Sequence, residues 1–162
     1  MVITLIGLPS SGKSTLGVLL AKALGLSFID TDLIIQEREK ALLHEIIEKE
    51  GAKGFLELEN KVISELDVKN AVVATGGSAI FGIDAMTHLK SLGKIVYLKI
   101  SYEALLSRLG DYTHRGVVMK EGETLEDLYR TRIPLYEKWC DITVDSTDTM
   151  HNTVKKLTEV LK

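Results

Sequence analysis

An apolar run, Val2-Ile3-Thr4-Leu5-Ile6, leads straight into Gly7-Leu8-Pro9-Ser10-Ser11-Gly12-Lys13-Ser14, and that stretch into Leu16, Val18, Leu19, Leu20, Ala23 and Leu24. The middle stretch satisfies G-x-x-x-x-G-K-[ST] at every fixed position, between a strand-like and a helix-like segment. Few folds accommodate that order. Successive backbone N–H groups of such a loop face phosphate oxygens, the glycines leave room for the approach, and the following helix turns its positive end to the anion. The expectation is a nucleoside triphosphate held by Gly7, Ser10, Ser11, Gly12, Lys13, Ser14 and Thr15. Lys13 would reach the β/γ-phosphates and the Ser14 hydroxyl would ligate Mg²⁺. The plain alternative is an ordinary Gly-rich turn.

Further short β-like runs recur at Phe28-Ile29, Ala71–Ala74, Lys94–Leu98 and Ile142–Val144. Helical periods lie between them: one beginning at Ile34 and Ile35, a second on Leu42, Ile46 and Ile47, and a third from Phe55 to Leu66. Others fall on Ala85, Leu89 and Leu92, on Leu105, Leu106 and Leu109, on Leu125, Leu128 and Leu135, and on Val154 to Leu161. Strands alternating with helices predict crossover units and a mostly parallel sheet covered on both faces. Ser101 reads as an N-cap with an incomplete capping box, and Pro134 as a kink within a helix.

With 162 residues, 45% hydrophobic and 27% charged, the chain suits one soluble domain. A net charge of −3 and no Lys/Arg block argue against a nucleic-acid partner. No apolar run approaches the ~18 residues of a membrane span, so no membrane partner is expected. The lone Cys140 reads as a buried small hydrophobe in a reducing compartment. With no basic n-region or cleavage site visible, a cytoplasmic protein is expected.

Asp30-Thr31-Asp32 follows the second strand run, where α/β folds place ligands. One acid could hold Mg²⁺ through its water shell, the other accept a proton from an attacking hydroxyl. The alternative has Asp32 capping a helix that begins at Leu33. Thr75-Gly76-Gly77-Ser78 follows the third strand run, either as a simple turn or as backbone N–H groups open to a ligand. The Gly-containing stretch from about 110 to 123, with His114, Arg115 and Lys120, is either a solvated loop or a lid that closes over a triphosphate and delivers a cation.

The combination resembles the shikimate kinase family, small P-loop kinases related to the nucleoside monophosphate kinases. The likeness runs from Val2 to about Leu161. It is carried by Gly7–Ser14, Phe28-Ile29-Asp30-Thr31-Asp32, Gly51 through Phe55 to Glu59, Ala74-Thr75-Gly76-Gly77, Arg115 and Arg132-Ile133-Pro134-Leu135-Tyr136. The resemblance implies a P-loop three-layer α/β fold: a five-stranded parallel sheet, helices on both faces and a mobile lid, in a single monomeric domain over 1–162 with the lid at about 110–123. It implies ATP with Mg²⁺ phosphorylating a ring hydroxyl of shikimate, a carboxylate-bearing triol, to shikimate 3-phosphate, a step of aromatic amino acid biosynthesis. Lys13, Asp32 and Arg115 would be catalytic, with Asp32 orienting the accepting hydroxyl and Arg115 stabilising the transferring phosphoryl group. Asp30 would support Mg²⁺ beside Ser14, and Arg108 would lie against adenine. Glu59, Gly76, Gly77 and Ser78 would surround the substrate, and Arg132 would pair with its carboxylate.

Three positions depart from the family pattern. Leu56 follows Phe55 where the family carries a second Arg for the carboxylate, and losing such a bond weakens binding roughly 10- to 100-fold. Lys53, one turn earlier, could substitute in part, without a bidentate fork. Ser78 replaces the family's third consecutive Gly, harmlessly or to read another substrate. Arg115-Gly116-Val117-Val118 stands for Arg-Pro-Leu-Leu, which predicts a more flexible lid. Because the changes lie on the acceptor side and the lid while the ATP-binding residues are intact, another hydroxylated acceptor stays open, such as a sugar acid or a hydroxy amino acid whose ammonium faces Glu57 and Glu59. A nucleotide-binding module without acceptor chemistry is the third reading; Asp32, Arg115 and Arg132 argue against it.

Overall fold

The computed structural model describes residues 1–109 and 116–162. Five strands form one parallel sheet: β1 (Val2–Ile6), β2 (Ser27–Asp30), β3 (Ala71–Ala74), β4 (Lys94–Lys99) and β5 (Ile142–Asp145), in the spatial order β2-β3-β1-β4-β5. Seven helices lie among the described residues: α1 (Lys13–Leu24), α2 (Thr31–Glu39), α3 (Leu43–Ser64), α4 (Ile83–Leu92), α5 (Tyr102–Leu109), α6 (Leu125–Trp139) and α7 (Met150–Leu161). Every strand-like run in the sequence forms a strand, and the sheet has the expected α/β form.

The central strands are apolar on both faces because both are covered. Ile3 and Leu5 of β1, Val72 of β3 and Val96 and Leu98 of β4 pack with Leu16 and Leu20 of α1 and Leu157 and Leu161 of α7. Their neighbours Val2, Ile6, Val73, Ile95 and Tyr97 point the other way, against Met86 and Leu89 of α4 and Leu128 and Tyr136 of α6. A third apolar cluster joins Ile35 of α2 to Ile46, Phe55 and Val62 of α3 and to Val118.

Several local expectations resolve here. The second and third helical periods fall in α3, which breaks at Gly51 (φ 72°, ψ 171°) into two helical pieces. The Ser101 Oγ accepts from the Ala104 N–H at 3.1 Å, as an N-cap should. Pro134 lies inside α6, which continues through it to Trp139. Cys140 is half-buried rather than buried, because it follows the last turn of α6 at the rim of the core. Of the stretch read as lid or solvated loop, residues 110–115, His114 and Arg115 among them, lie outside the described residues. Val118 beyond them is buried in the third cluster, so that part is not a solvated loop. Among the described residues no helix is long and apolar enough to cross a membrane.

The register puts every site-bearing loop at one edge. Asp30 pairs with Ala74, Ala74 pairs with Leu5, and the Thr75 N–H and hydroxyl both bond the Leu5 carbonyl, at 3.2 and 2.9 Å. The ends of β2, β3 and β1 are therefore adjacent, where α/β sheets bind ligands. At the opposite edge, Gly93 crosses so close to β1 that a Cβ there would lie 2.0 Å from the Val2 carbonyl oxygen. Backbone is the obstacle, so relief requires a shift of the β4 entry. Gly93→Ala should cost at least about 1–3 kcal/mol, the usual scale of overpacking, read as a lowered urea midpoint.

Candidate active site

The loop between β1 and α1 turns at Gly12, whose φ of 91° admits glycine far more readily than any other residue. The turn places the Lys13 ammonium beneath the loop, donating to the carbonyls of Gly7 and Leu8 at 2.8 and 2.7 Å and to Ser11 Oγ at 3.2 Å. All three acceptors are neutral, so the charge is held in place but not cancelled. Burial lowers the Lys13 pKa to about 8, opposed chiefly by the attraction of Asp32. Ser14 and Thr15, in the first turn of α1, are exposed on the cavity side.

Of the two aspartates at the end of β2 and the start of α2, the helix cap goes to the first. Asp30 Oδ1 accepts from the Asp32 N–H at 2.9 Å, which makes Asp30 the N-cap of α2, and Asp30 Oδ2 accepts from the Ser14 hydroxyl at 2.7 Å. The helix begins at Thr31, so Asp32 is inside its first turn and is not the cap. Its Oδ1 is buried and makes no hydrogen bond. Burial, then repulsion from Asp30, raises the Asp32 pKa to about 6, while Lys13 pulls it back.

A second carboxyl faces Asp32 from α3. Glu59 is 2% exposed; its Oε1 accepts from the Ser78 hydroxyl at 2.6 Å, and its Oε2 is buried without a partner. The two unpartnered oxygens converge on Gly76: a Cβ there would lie 2.7 Å from Glu59 Oε2 and 2.8 Å from Asp32 Oδ1. Gly77 is bounded by Pro9 and Arg132, with a hypothetical Cβ at 2.9 and 3.2 Å, and its carbonyl accepts from the Tyr136 hydroxyl at 2.6 Å. Arg132, also 2% exposed, donates to the Val118 carbonyl and stacks its guanidinium 5.4 Å from the centre of the Phe81 ring.

These groups enclose a cavity of about 380 Å³. Of the residues anticipated from sequence, Ser10, Gly12, Lys13, Ser14, Thr15, Asp32, Glu59, Gly76, Gly77, Ser78 and Arg132 line it. Gly7, Ser11 and Asp30 stand behind it, as acceptors for Lys13 and Ser14. Arg108 is not on its wall; it donates to the Ser146 and Thr147 carbonyls at 3.2 and 3.3 Å, and the Ser146 hydroxyl in turn donates to the Ser11 carbonyl at 3.2 Å. Arg115 lies outside the described residues. Neither Leu56 nor Lys53 lines the cavity: Leu56 packs in the α2–α3 apolar cluster and Lys53 is exposed, so Lys53 does not replace a second cation at this wall. Glu57 is exposed as well and does not line the cavity.

The apolar wall was missed from sequence. Leu43, Phe55, Val117 and Val118 also line the cavity, beside the charged groups. Phe55 carried a core-like helical period, and nothing local distinguishes a core residue from one on a cavity wall.

The fold penalises ionised Glu59: burial, its largest influence, raises the pKa from 4.5 to about 8 against the Ser78 bond. Between those values the unfolded chain has released the proton and the folded one has kept it, so stability falls as pH rises. Glu59→Gln cannot ionise. The stability of wild type relative to this variant should fall from about pH 4.5 to about pH 8, by up to about 1.4 kcal/mol per pH unit, and then level off. Urea denaturation at pH 5, 6, 7 and 8 reads the difference.

Comparison with known proteins bears on the whole chain. The family model for shikimate kinase matches residues 9–162. A shikimate kinase of Francisella tularensis subsp. holarctica is 38% identical over 98% of this chain and 93% of its own length. A crystal structure of shikimate kinase from Aquifex aeolicus superposes with a TM-score of 0.86 at 34% identity, covering 99% of this chain and 96% of the other. Shikimate kinase from Acinetobacter baumannii in complex with shikimate superposes at 0.90, also 34% identical, over 99% and 92%. A chain that matches this family in sequence over nearly its whole length, and folds as its solved members do, belongs to the shikimate kinase family.

Proposed function

We propose that this protein transfers the γ-phosphoryl group of ATP to a ring hydroxyl of shikimate, giving shikimate 3-phosphate and ADP. The observation that carries the reading is one cavity lined by the phosphate-loop cation, a buried guanidinium and two carboxyls that each keep an unpartnered oxygen. A rigid acid bearing several hydroxyls and an apolar ring face matches that set of groups, and the side chains of Leu43, Phe55, Val117 and Val118 suit the ring.

The roles follow from position. Arg132 pairs with the acceptor's carboxylate, and its stacking on Phe81 and bond to Val118 fix the guanidinium plane beforehand. Asp32 Oδ1, free of any other hydrogen bond, takes the hydrogen of the attacking hydroxyl. The new bond joins that oxygen to the γ-phosphorus as the bond to the β-bridging oxygen breaks. Lys13 and the backbone N–H groups of Gly12 and Ser14 meet the charge on the phosphate oxygens. Arg115, matched to the family's cation by the resemblance, supplies a second positive charge to the transferring phosphoryl group. Arg108, anchored beside the phosphate loop through Ser146, offers its guanidinium plane to adenine.

The Ser14 hydroxyl, on the cavity wall, and Asp30 Oδ2, 2.7 Å behind it, are hard oxygen donors of the kind Mg²⁺ takes, with water completing its shell. Bound there, the ion would offset charge on the β- and γ-phosphate oxygens. The chain acts as a single cytoplasmic domain, a monomer whose site needs nothing from a second copy.

Purified protein with Mg²⁺ and ATP should release ADP saturably with shikimate, and not with homoserine, gluconate or no acceptor. Turnover on homoserine or gluconate with silence on shikimate would overturn the choice of acceptor. Asp32→Ala should lower kcat by about 10²–10⁴-fold, the usual worth of a positioned base, with ATP affinity nearly unchanged in calorimetry. Near-normal turnover in that variant would remove Asp32 from the role given to it.

A further inference from the structure

One buried contact in the cavity has no part in the mechanism above. Ser78 enters the 3₁₀ turn Ala79–Phe81, yet its hydroxyl caps no backbone N–H. It donates instead to Glu59 Oε1 at 2.6 Å, across 19 residues of chain and from β3's loop to α3. Both residues are buried, and both line the cavity. A glutamate carboxyl turns about a broad terminal torsion with no strong preference of its own, so a hydrogen bond of this length is what selects its orientation. With Oε1 engaged, Oε2 is left aimed at the space beside Gly76 and Asp32 Oδ1, unpartnered.

We propose that Ser78 is a positioning residue that sets acceptor specificity: it holds the Glu59 carboxyl with Oε2 facing the cavity, where that oxygen engages an acceptor hydroxyl beside the one Asp32 addresses. The inference rests on the reading of the cavity as the site of a polyhydroxylated acceptor. Two neighbouring carboxyl oxygens, one from α2 and one from α3, match two neighbouring hydroxyls on a ring. An acceptor lacking the second hydroxyl would leave Oε2 buried and unpaired, which is costly enough to discriminate.

The electrostatic surroundings give Ser78 a second, separable signature. Glu59 is faced by Asp32 from α2, Lys13 from α1 and Arg132 from α6, and by the Ser78 hydroxyl. Asp32 raises its pKa and the two cations lower it, as does the Ser78 bond. Removing the hydroxyl therefore moves Glu59's titration upward, whereas looser packing that lets water reach the carboxyl moves it downward, because burial is what raises it most.

The test is a cycle of Ser78→Ala, Glu59→Gln and the double variant, assayed with shikimate and ATP, with the Glu59 carboxyl carbon titrated by NMR. Ser78→Ala should lower kcat/KM for shikimate about 10-fold, the worth of one buried hydrogen bond, with KM for ATP within about 2-fold. In the Glu59→Gln background the same change should have almost no further effect, and in wild type it should raise the Glu59 titration midpoint. Ser78→Gly, which also lacks the hydroxyl, should reproduce both results. Equal losses in the two backgrounds, a loss that falls on ATP, or an unmoved midpoint would each overturn the proposal. If wild type itself ignores shikimate, the acceptor reading has failed; the midpoint then decides whether Ser78 governs Glu59, and an unmoved midpoint still refutes it.

Discussion

Lys13, Asp32, Glu59 and Arg132 share one crevice at the carboxyl edge of β1, β2 and β3, largely out of reach of water. None could be buried alone without a heavy penalty, since an ion withdrawn from water must find compensation or lose its charge. Here the compensation is mutual: Asp32 raises the pKa of Lys13, Lys13 lowers that of Asp32, and Arg132 lowers that of Glu59, although it also repels Lys13. The balance is incomplete by design of the packing, because two carboxyl oxygens are left unpaired. Stability is spent there, and the unpaired atoms are what a hydroxylated ligand would satisfy.

Around that crevice the fold acts as a set of fixed distances. Parallel register aligns the ends of β2, β3 and β1, and Thr75 ties the third strand's loop to the first through two hydrogen bonds to the Leu5 carbonyl. Tyr136 holds the Gly77 carbonyl from α6, one helical turn from Arg132 on the same helix. The glycine turn and the guanidinium are thereby placed by a single rigid element. Ser146 does the same on the nucleotide side, joining the end of β5 to the phosphate loop and to Arg108.

The fold was legible wherever the signal is local. Apolar runs and periods marked all five strands and the course of the helices, because a sheet covered on both faces has apolar residues on both sides of its central strands. Which of Asp30 and Asp32 caps α2 was not legible, since either acid two residues apart can reach a helix start. The break of α3 at Gly51 left two periods that sequence reading separated correctly. Lys53 and Leu56 were harder: a position one turn away along a helix is near in sequence yet can face solvent or core. Only packing settles which.

By itself the sequence determined the strand, phosphate loop and helix at the start of the chain, and the residue types able to meet phosphate, hydroxyl and carboxylate. Those follow from backbone chemistry within a dozen residues, where spacing and geometry are the same thing. Tertiary structure alone decided that Glu59 Oε2 and Asp32 Oδ1 converge on Gly76, that Ser78 holds Glu59 from 19 residues away, and that Leu43, Phe55, Val117 and Val118 form an apolar wall. Such facts depend on which elements the sheet order brings together and on which atoms that packing removes from water. Neither quantity is a property of any stretch of sequence taken alone.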